Sequence, residues 1–330
     1  MIGVGIIGAG HFGAVHARAI AEVEGVQLVA SCRENRVLAE RFAGEHGGNA
    51  YGNWRALLAD SNVNAVVIAT PHHLHEEIAI GAAEAGKHIL LEKPMAPTTR
   101  ACDAINAAAG KARVQLMVGH VMHFALPCIK AKEILDSDVI GKPMLGSSWM
   151  IKLWMESNRR EWHMNTASGG GMLMTAGIHA LDRLVWLMGQ DVVSVNAMAG
   201  TLFHDQDADD SALIGLRFAN GGIGQVQSVG YRNGAVGFAM DLVCENGTLR
   251  IDFDHGVSIG RDGAWTPVPG SFEPHWMHHA VVREWQAMRE AIVGSAPVAV
   301  SGAYARQIVG IIEAVHQANA EKREVVVSHV

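Results

Sequence analysis

The 330-residue sequence predicts an α/β chain in two parts. The first is an N-terminal Rossmann domain on a parallel sheet. The second is a C-terminal α+β domain on an antiparallel or mixed sheet with one more polar face. Three observations carry this. Val4–Gly13, VGIIGAGHFG, reads as a buried strand, a glycine-rich turn and the start of a helix. Apolar strands and helical segments then alternate as far as Gly119, the pattern of a parallel sheet covered on both faces. Beyond Gly119 the apolar period becomes two, as in Thr248–Phe253, where Leu249, Ile251 and Phe253 alternate with polar residues. The boundary is placed at 122/123, giving domains 1–122 and 123–330, with the final helices able to pack back on the first.

Composition narrows the class. The net charge of −7 disfavours nucleic acid as a partner. No apolar run is long enough to cross a bilayer, and MIGVGIIGAG lacks the basic start of a signal peptide. Cys32, Cys102, Cys128 and Cys244 have neither metal nor redox spacing and read as small buried residues in a reducing compartment. A cytoplasmic protein without a structural metal is the expectation.

In chain order, Gly8, Gly10 and Gly13 fit G-x-G-x-x-G. The first permits a tight turn and the second lets the backbone approach a pyrophosphate. The third lets helix and strand pack closely. The pyrophosphate would lie at the helix N-terminus with His11 and Phe12, where free N–H groups and the dipole favour an anion. Strands are expected at Gln27–Ser31, Ala65–Ala69, His88–Leu91 and Gln115–Gly119. Helices are expected at Val37–His46, Trp54–Asp60, His75–Ala85 and Thr98–Lys111. Ligands of such sheets bind beyond the strands' C-terminal ends. That rule selects Gly8–Gly13, Ser31–Arg36, Thr70–His75 and Glu92–Pro94.

Further readings attach to three of those segments. Ser31 and Arg33 end the second strand, and an arginine there can grip a 2′-phosphate as a bidentate fork, which favours NADP over NAD. The alternative makes Arg33 and Arg36 solvated charges and gives the ribose to Glu34. Thr70, Pro71, His72 and His75 line the fourth strand's end as cofactor-binding candidates; the alternative for His75, which begins a helix, is that it caps or packs, and the imidazoles there lack a metal-ligand spacing. Glu92 and Lys93 follow the fifth strand, where a lysine in a cleft can polarise an oxygen. A surface lysine before a turn proline is the competing reading.

The second part opens with a helix at Pro127–Asp136 and a long strand at Met144–Met155. The loop Asn158–Gly171 and a helix at Met172–Met188 follow. Ser211–Phe218 alternates as a strand, and Asn220-Gly221-Gly222 and Glu245-Asn246-Gly247 read as hairpin turns. Helices at Trp276–Ile292 and Ala303–Lys322 close the chain. Thr175, His179 and Asp182 recur at helical spacing. His179 is suited to proton transfer near neutral pH, or else is a core histidine satisfied by a neighbour such as Asp182.

GAGHFG, ATPHHLH, EKP and GGG…GIHALD, in that order, resemble the Gfo/Idh/MocA oxidoreductases, the family of glucose–fructose oxidoreductase and myo-inositol dehydrogenase. The resemblance covers nearly the whole chain. It implies an enzyme that moves a hydride between a nicotinamide cofactor, NADP or NAD, and a hydroxyl-bearing carbon of a sugar, cyclitol or related molecule. It places the catalytic lysine at Lys93, before a proline often cis, and the catalytic histidine at His179. It also implies an N-terminal Rossmann domain and a C-terminal domain with a large, open, mostly antiparallel sheet, through which dimers or tetramers form. The family's usual aspartate one turn before the histidine is Thr175 here, which weakens the case for a typical polyol. Thr175, Arg160, Trp162 and His123 are the expected substrate-binding residues. Trp154, Arg159 and His163 extend an aromatic and basic segment suited to a ring or carboxylate, or to a domain or subunit contact. Two alternatives follow: a dehydrogenase of an aromatic dihydrodiol or semialdehyde, and a non-catalytic nucleotide sensor.

Overall fold

The structure is a computed structural model that describes residues 1–328. The chain divides into two compact units, one of 1–121 with 277–306, the other of 122–276 with 307–330.

The first unit holds a six-stranded sheet. Its strands are β1 (Ile2–Ile7), β2 (Val26–Cys32), β3 (Asn49–Tyr51), β4 (Ala65–Ile68), β5 (His88–Glu92) and β6 (Leu116–Gly119). The order is β3-β2-β1-β4-β5-β6, and every pairing is parallel. The chain order reverses between β1 and β4, which opens the crevice where such sheets take ligands. The connecting helices are α1 (His11–Ile20), α2 (Arg36–His46), α3 (Trp54–Leu58), α4 (His75–Glu84) and α5 (Thr99–Ala112). Ile6, Val66, Val67, Ile68, Ile89, Leu90 and Leu91 are completely buried, so these continuous apolar strands are covered on both faces.

The second unit begins with α6 (Leu126–Asp136) and β7 (Pro143–Leu153), followed by α7 (Ile178–Met188). Seven strands follow: β8 (Val192–Gly200), β9 (Ser211–Phe218), β10 (Ile223–Tyr231), β11 (Gly237–Cys244), β12 (Gly247–Asp252), β13 (Gly256–Arg261) and β14 (Ala264–Pro267). The chain then passes through α8 (Trp276–Val293) and α9 (Gly302–Glu321) to β15 (Val325–Val326). Met277–Arg306, and so nearly all of α8, belongs to the first unit. The nine strands run β14-β13-β12-β11-β7-β10-β9-β8-β15. The sheet is antiparallel except where β7 and β10 lie side by side in parallel. Both expected hairpins are present, joining β9 to β10 and β11 to β12.

Alternation explains why the second sheet has one covered face and one open one. In β9, Ala212, Ile214, Leu216 and Phe218 are buried while Leu213 is exposed. Leu145, Ile223 and Val243 sit opposite one another across β10-β7-β11 and are all exposed. The helix expected at Met172–Met188 is not uniform. It opens with a π-helical turn, Leu173–Gly177, before α7. There Gly177 lies against β10 so closely that a Cβ would come 2.1 Å from Ser228 Oγ.

Candidate active site

The first unit gathers four segments at adjacent strand ends, those of β2, β1, β4 and β5. Each glycine of the turn has a separate steric role. Gly8 has φ +101°, and a Cβ there would stand 2.4 Å from the Ala69 carbonyl oxygen. A Cβ on Gly13 would stand 2.6 Å from the Gly8 oxygen, so α1 packs directly on the turn. A Cβ on Gly10 would meet no atom within 4 Å. That open side is a cradle, and it lies at the start of α1, which no side chain caps. The N–H groups of the first turn are those a helix leaves for an anion. The turn is held to β2 by hydrogen bonds from Gly8 N and Ala9 N to the Cys32 oxygen, at 3.1 and 3.0 Å.

Around the cradle the polar groups divide into two kinds. Some are committed to the scaffold. His75 is fully buried, with Nδ1 2.9 Å from the Pro94 oxygen and Nε2 3.0 Å from the Thr70 oxygen. It therefore ties two loops together rather than offering its ring to a ligand, and the expectation that it contacts cofactor gives way to a supporting role. Burial pulls its pKa below the ordinary value, against the two carbonyls that favour the proton. His72 is buried with its ring edge-on to His75. Others are orphaned. Ser31 is completely buried and its hydroxyl has no hydrogen-bond partner; the buried Thr70 Oγ1 has none either. Orphaned hydroxyls at the ends of β2 and β4, beside an open glycine cradle, fit a bound dinucleotide. Arg33 swings back over the turn, Nη1 donating to the Ala9 oxygen at 3.3 Å, while Glu34 is exposed and Arg36 pairs with Glu40.

Glu92 ends β5, buried, and the peptide bond between Lys93 and Pro94 is cis. His11 is exposed at the head of α1; Phe12 packs edge-on to His16 at 5.3 Å.

In the second unit His179 stands in the first turn of α7, part-buried, and Thr175 in the π-helical turn before it. Such turns recur at functional sites because they re-aim the side chains that follow. Asp209 anchors the turn. Its backbone oxygen accepts from Met172 N at 2.8 Å and its Oδ2 from Leu173 N at 2.9 Å. Burial, helped by neighbouring Asp210, pushes the Asp209 carboxyl up to about 6. Asp182 is completely buried, and its Oδ1 is 3.0 Å from Nε2 of His123, whose ring stacks on Trp186 at 4.1 Å. His123 is thus part of the support of α7.

The aromatic and basic segment is largely self-paired. Trp154 is completely buried and donates to Gln206 Oε1. Arg159 lies over its ring at 4.6 Å and pairs with Glu156. His163 stacks on Trp162 at 3.7 Å. Arg160 is exposed, bonded to the Ser157 and Arg159 oxygens, and Trp162 is half-buried.

Sequence reasoning missed Arg183. It is completely buried on α7, bonded to Ser148 Oγ and the Trp149 oxygen, with its guanidinium 4.3 Å from the Phe238 ring. An arginine inside the apolar run IHALDRLVWLM was its signal. Asp209 was also missed.

Two family models match the chain. One, described as the oxidoreductase family with NAD-binding Rossmann fold, covers residues 2–120. The other, the GFO/IDH/MocA C-terminal domain, covers residues 128–250. A 1-carboxy-3-chloro-3,4-dihydroxycyclohexa-1,5-diene dehydrogenase of Comamonas testosteroni is 33% identical over 62% of this chain and 52% of its own. The levoglucosan dehydrogenase of Pseudarthrobacter phenanthrenivorans is 29% identical over 69% of this chain and 67% of its own. A solved levoglucosan dehydrogenase in complex with NADH and levoglucosan superimposes with a TM-score of 0.88 at 25% identity, covering 99% of each chain.

Proposed function

The chain belongs to the Gfo/Idh/MocA oxidoreductases, whose N-terminal domain is an NAD-binding Rossmann fold, and we propose that it dehydrogenates a sugar, cyclitol or related hydroxyl compound. The observation that carries this is the open side of Gly10 flanked by the orphaned hydroxyls of Ser31 and Thr70. The relatives that act on levoglucosan and inositol supply the substrate class. Gly8, Gly10, Gly13, Ser31, Arg33 and Thr70 would hold the dinucleotide. The nicotinamide, when bound, exchanges a hydride with the substrate carbon. His179 takes the proton of the substrate hydroxyl, and the Lys93 ammonium steadies the oxygen as charge develops. Thr175, Arg160 and Trp162 orient the substrate, and His123 acts through Asp182. The Arg33 guanidinium beside the turn supports NADP as the preferred form.

The test is turnover on a panel of sugars, cyclitols and dihydrodiols with both nucleotides. Lys93→Ala and His179→Ala are each expected to lower kcat about a hundredfold or more while nucleotide affinity is kept. Full turnover in either variant would overturn its role. A second reading, oxidation of an aromatic dihydrodiol, is favoured by Thr175 in place of the family's usual aspartate and by the Comamonas relative; the same panel separates the two. The exposed row Leu145, Ile223 and Val243 supports pairing of two copies through the second sheet, which sedimentation would detect. No helix among the described residues is long and apolar enough to cross a membrane, and the four cysteines are buried. A cytoplasmic location suits them.

A further inference from the structure

The first unit contains a buried cluster outside the cradle. His16 of α1, Glu92 at the end of β5 and Glu284 of α8 are all buried, and one ligand-type atom from each lies within 4.8 Å of the others. One imidazole and two carboxylates would suit a divalent cation. The hydrogen bonds argue otherwise. Trp285 Nε1 stands 3.0 Å from His16 Nδ1. An indole N–H only donates, so Nδ1 must present its lone pair. The ring proton is therefore on Nε2 and points at Glu92 Oε1, 3.0 Å away. His16 is neutral, and neither nitrogen has a lone pair left for a metal. Glu92 is the acceptor and holds the cluster's negative charge.

Glu284 is then decisive. It is 0% exposed, and neither of its oxygens has a hydrogen-bond partner. Ionised, it would be an uncompensated buried charge beside a like charge. Burial, and after it the charge on Glu92, push its carboxyl well above the ordinary range. His16 from α1 is neutral, and burial holds the pKa of His75 from α4 below the ordinary value, although Glu92 and the Thr70 and Pro94 carbonyls favour its proton. Gly119, at the end of β6, has no side chain, and a Cβ there would come 2.9 Å from Glu92 Oε1.

We propose that Glu284 is a positioning residue held as a neutral carboxylic acid. It seats the Glu92 carboxylate between α8, α1 and β6, and so fixes the turn that carries Lys93. Through His16 the same seat braces the helix behind the glycine-rich turn. The inference rests on the reading of this unit as a dinucleotide site. A second ionised carboxylate would repel Glu92 and loosen both segments. A carboxyl whose folded pKa is raised contributes its full stability below the unfolded value and loses it as pH rises toward the folded one.

The experiment compares the full chain with Glu284→Gln, a neutral isostere. Thermal melts without nucleotide, and NADH titrations, are run from about pH 5 to about pH 9, spanning the range above the ordinary carboxyl pKa. E284Q is expected to melt at or above the wild-type temperature, with a gap that widens as pH rises. Its NADH affinity is expected to hold at the alkaline end, where the wild type weakens several-fold. A variant that melts lower at neutral pH, fails to fold or loses a tightly bound divalent metal would overturn the neutral acid, because an ionised ligand would then be required. Melts as expected with identical pH dependence of NADH affinity would overturn the positioning role alone. No NADH binding by the wild type would reject the dinucleotide reading, and with it the positioning role, whatever the melts show.

Discussion

Gly10→Ala separates the cofactor cradle from the fold around it. Gly10 has φ −113° and ψ −152°, an extended conformation open to alanine. The added methyl meets no protein atom within 4 Å. The free protein should therefore keep its stability, or gain about 0.4–1 kcal/mol because the unfolded chain is less free. Binding should suffer, since the methyl occupies the side from which a pyrophosphate approaches. Losing one charge-assisted hydrogen bond from the turn costs about 1.5–3 kcal/mol, or roughly a 10- to 150-fold rise in Kd. Gly13→Ala is the contrast. Its Cβ would lie 2.6 Å from the Gly8 oxygen and 3.2 Å from Ile6 Cγ2, so the helix must shift. Overpacking of that kind costs about 1–3 kcal/mol and should lower Tm with or without nucleotide. Calorimetric titration with NADH and thermal melts read the two effects. Wild-type affinity in G10A would refute the cradle, and a melt as low as that of G13A would refute the steric argument.

Other substitutions probe the remaining parts. Arg33→Ala should weaken NADPH binding about tenfold or more, with little change for NADH, because only the 2′-phosphate offers the fork a partner; equal losses for both would remove Arg33 from phosphate recognition. Asp209→Asn keeps an acceptor for Leu173 N–H. With the folded carboxyl at about 6 against an ordinary 3.8, the protonated form's advantage is complete below the ordinary value and lost as pH rises through about 6. The variant should thus be more stable than wild type above that pH, by up to about 3 kcal/mol, and the gap should close in acid. A loss independent of pH would contradict the assignment. Arg183→Met should cost about 2–4 kcal/mol, since Ser148 and the Trp149 carbonyl lose a buried donor; an unchanged urea midpoint would show that the arginine is dispensable.

Features written in local periods could be read from the sequence. The spacing of Gly8, Gly10 and Gly13 after an apolar strand located the turn, and AVVIA marked a central strand. Alternation in Thr248–Phe253 marked a one-sided sheet. Short elements with little pattern escaped: NAY, the edge strand β3, has three residues. The π-helical turn escaped because LMTAG carries no local sign of widening; the close packing of Gly177 on Ser228 belongs to the tertiary fold. Contacts between distant residues were also illegible. Glu284 reaches Glu92 from the far end of the chain, and the pattern of α8 shows only that one face is buried. His75 looked like a ligand because histidines clustered near a strand end, whereas its ring is held by the Thr70 and Pro94 carbonyls. Asp182 stood on a helix face with His179, yet the partner found for its Oδ1 is His123, 59 residues away.

The most direct test of the dinucleotide site is a titration of the nucleotide-free chain with NADPH and with NADH, followed by nicotinamide fluorescence. Saturable binding of both is expected, with NADPH the tighter, and G10A should weaken both together. Binding of neither nucleotide would contradict the reading of the glycine turn from which the proposed chemistry of Lys93 and His179 follows.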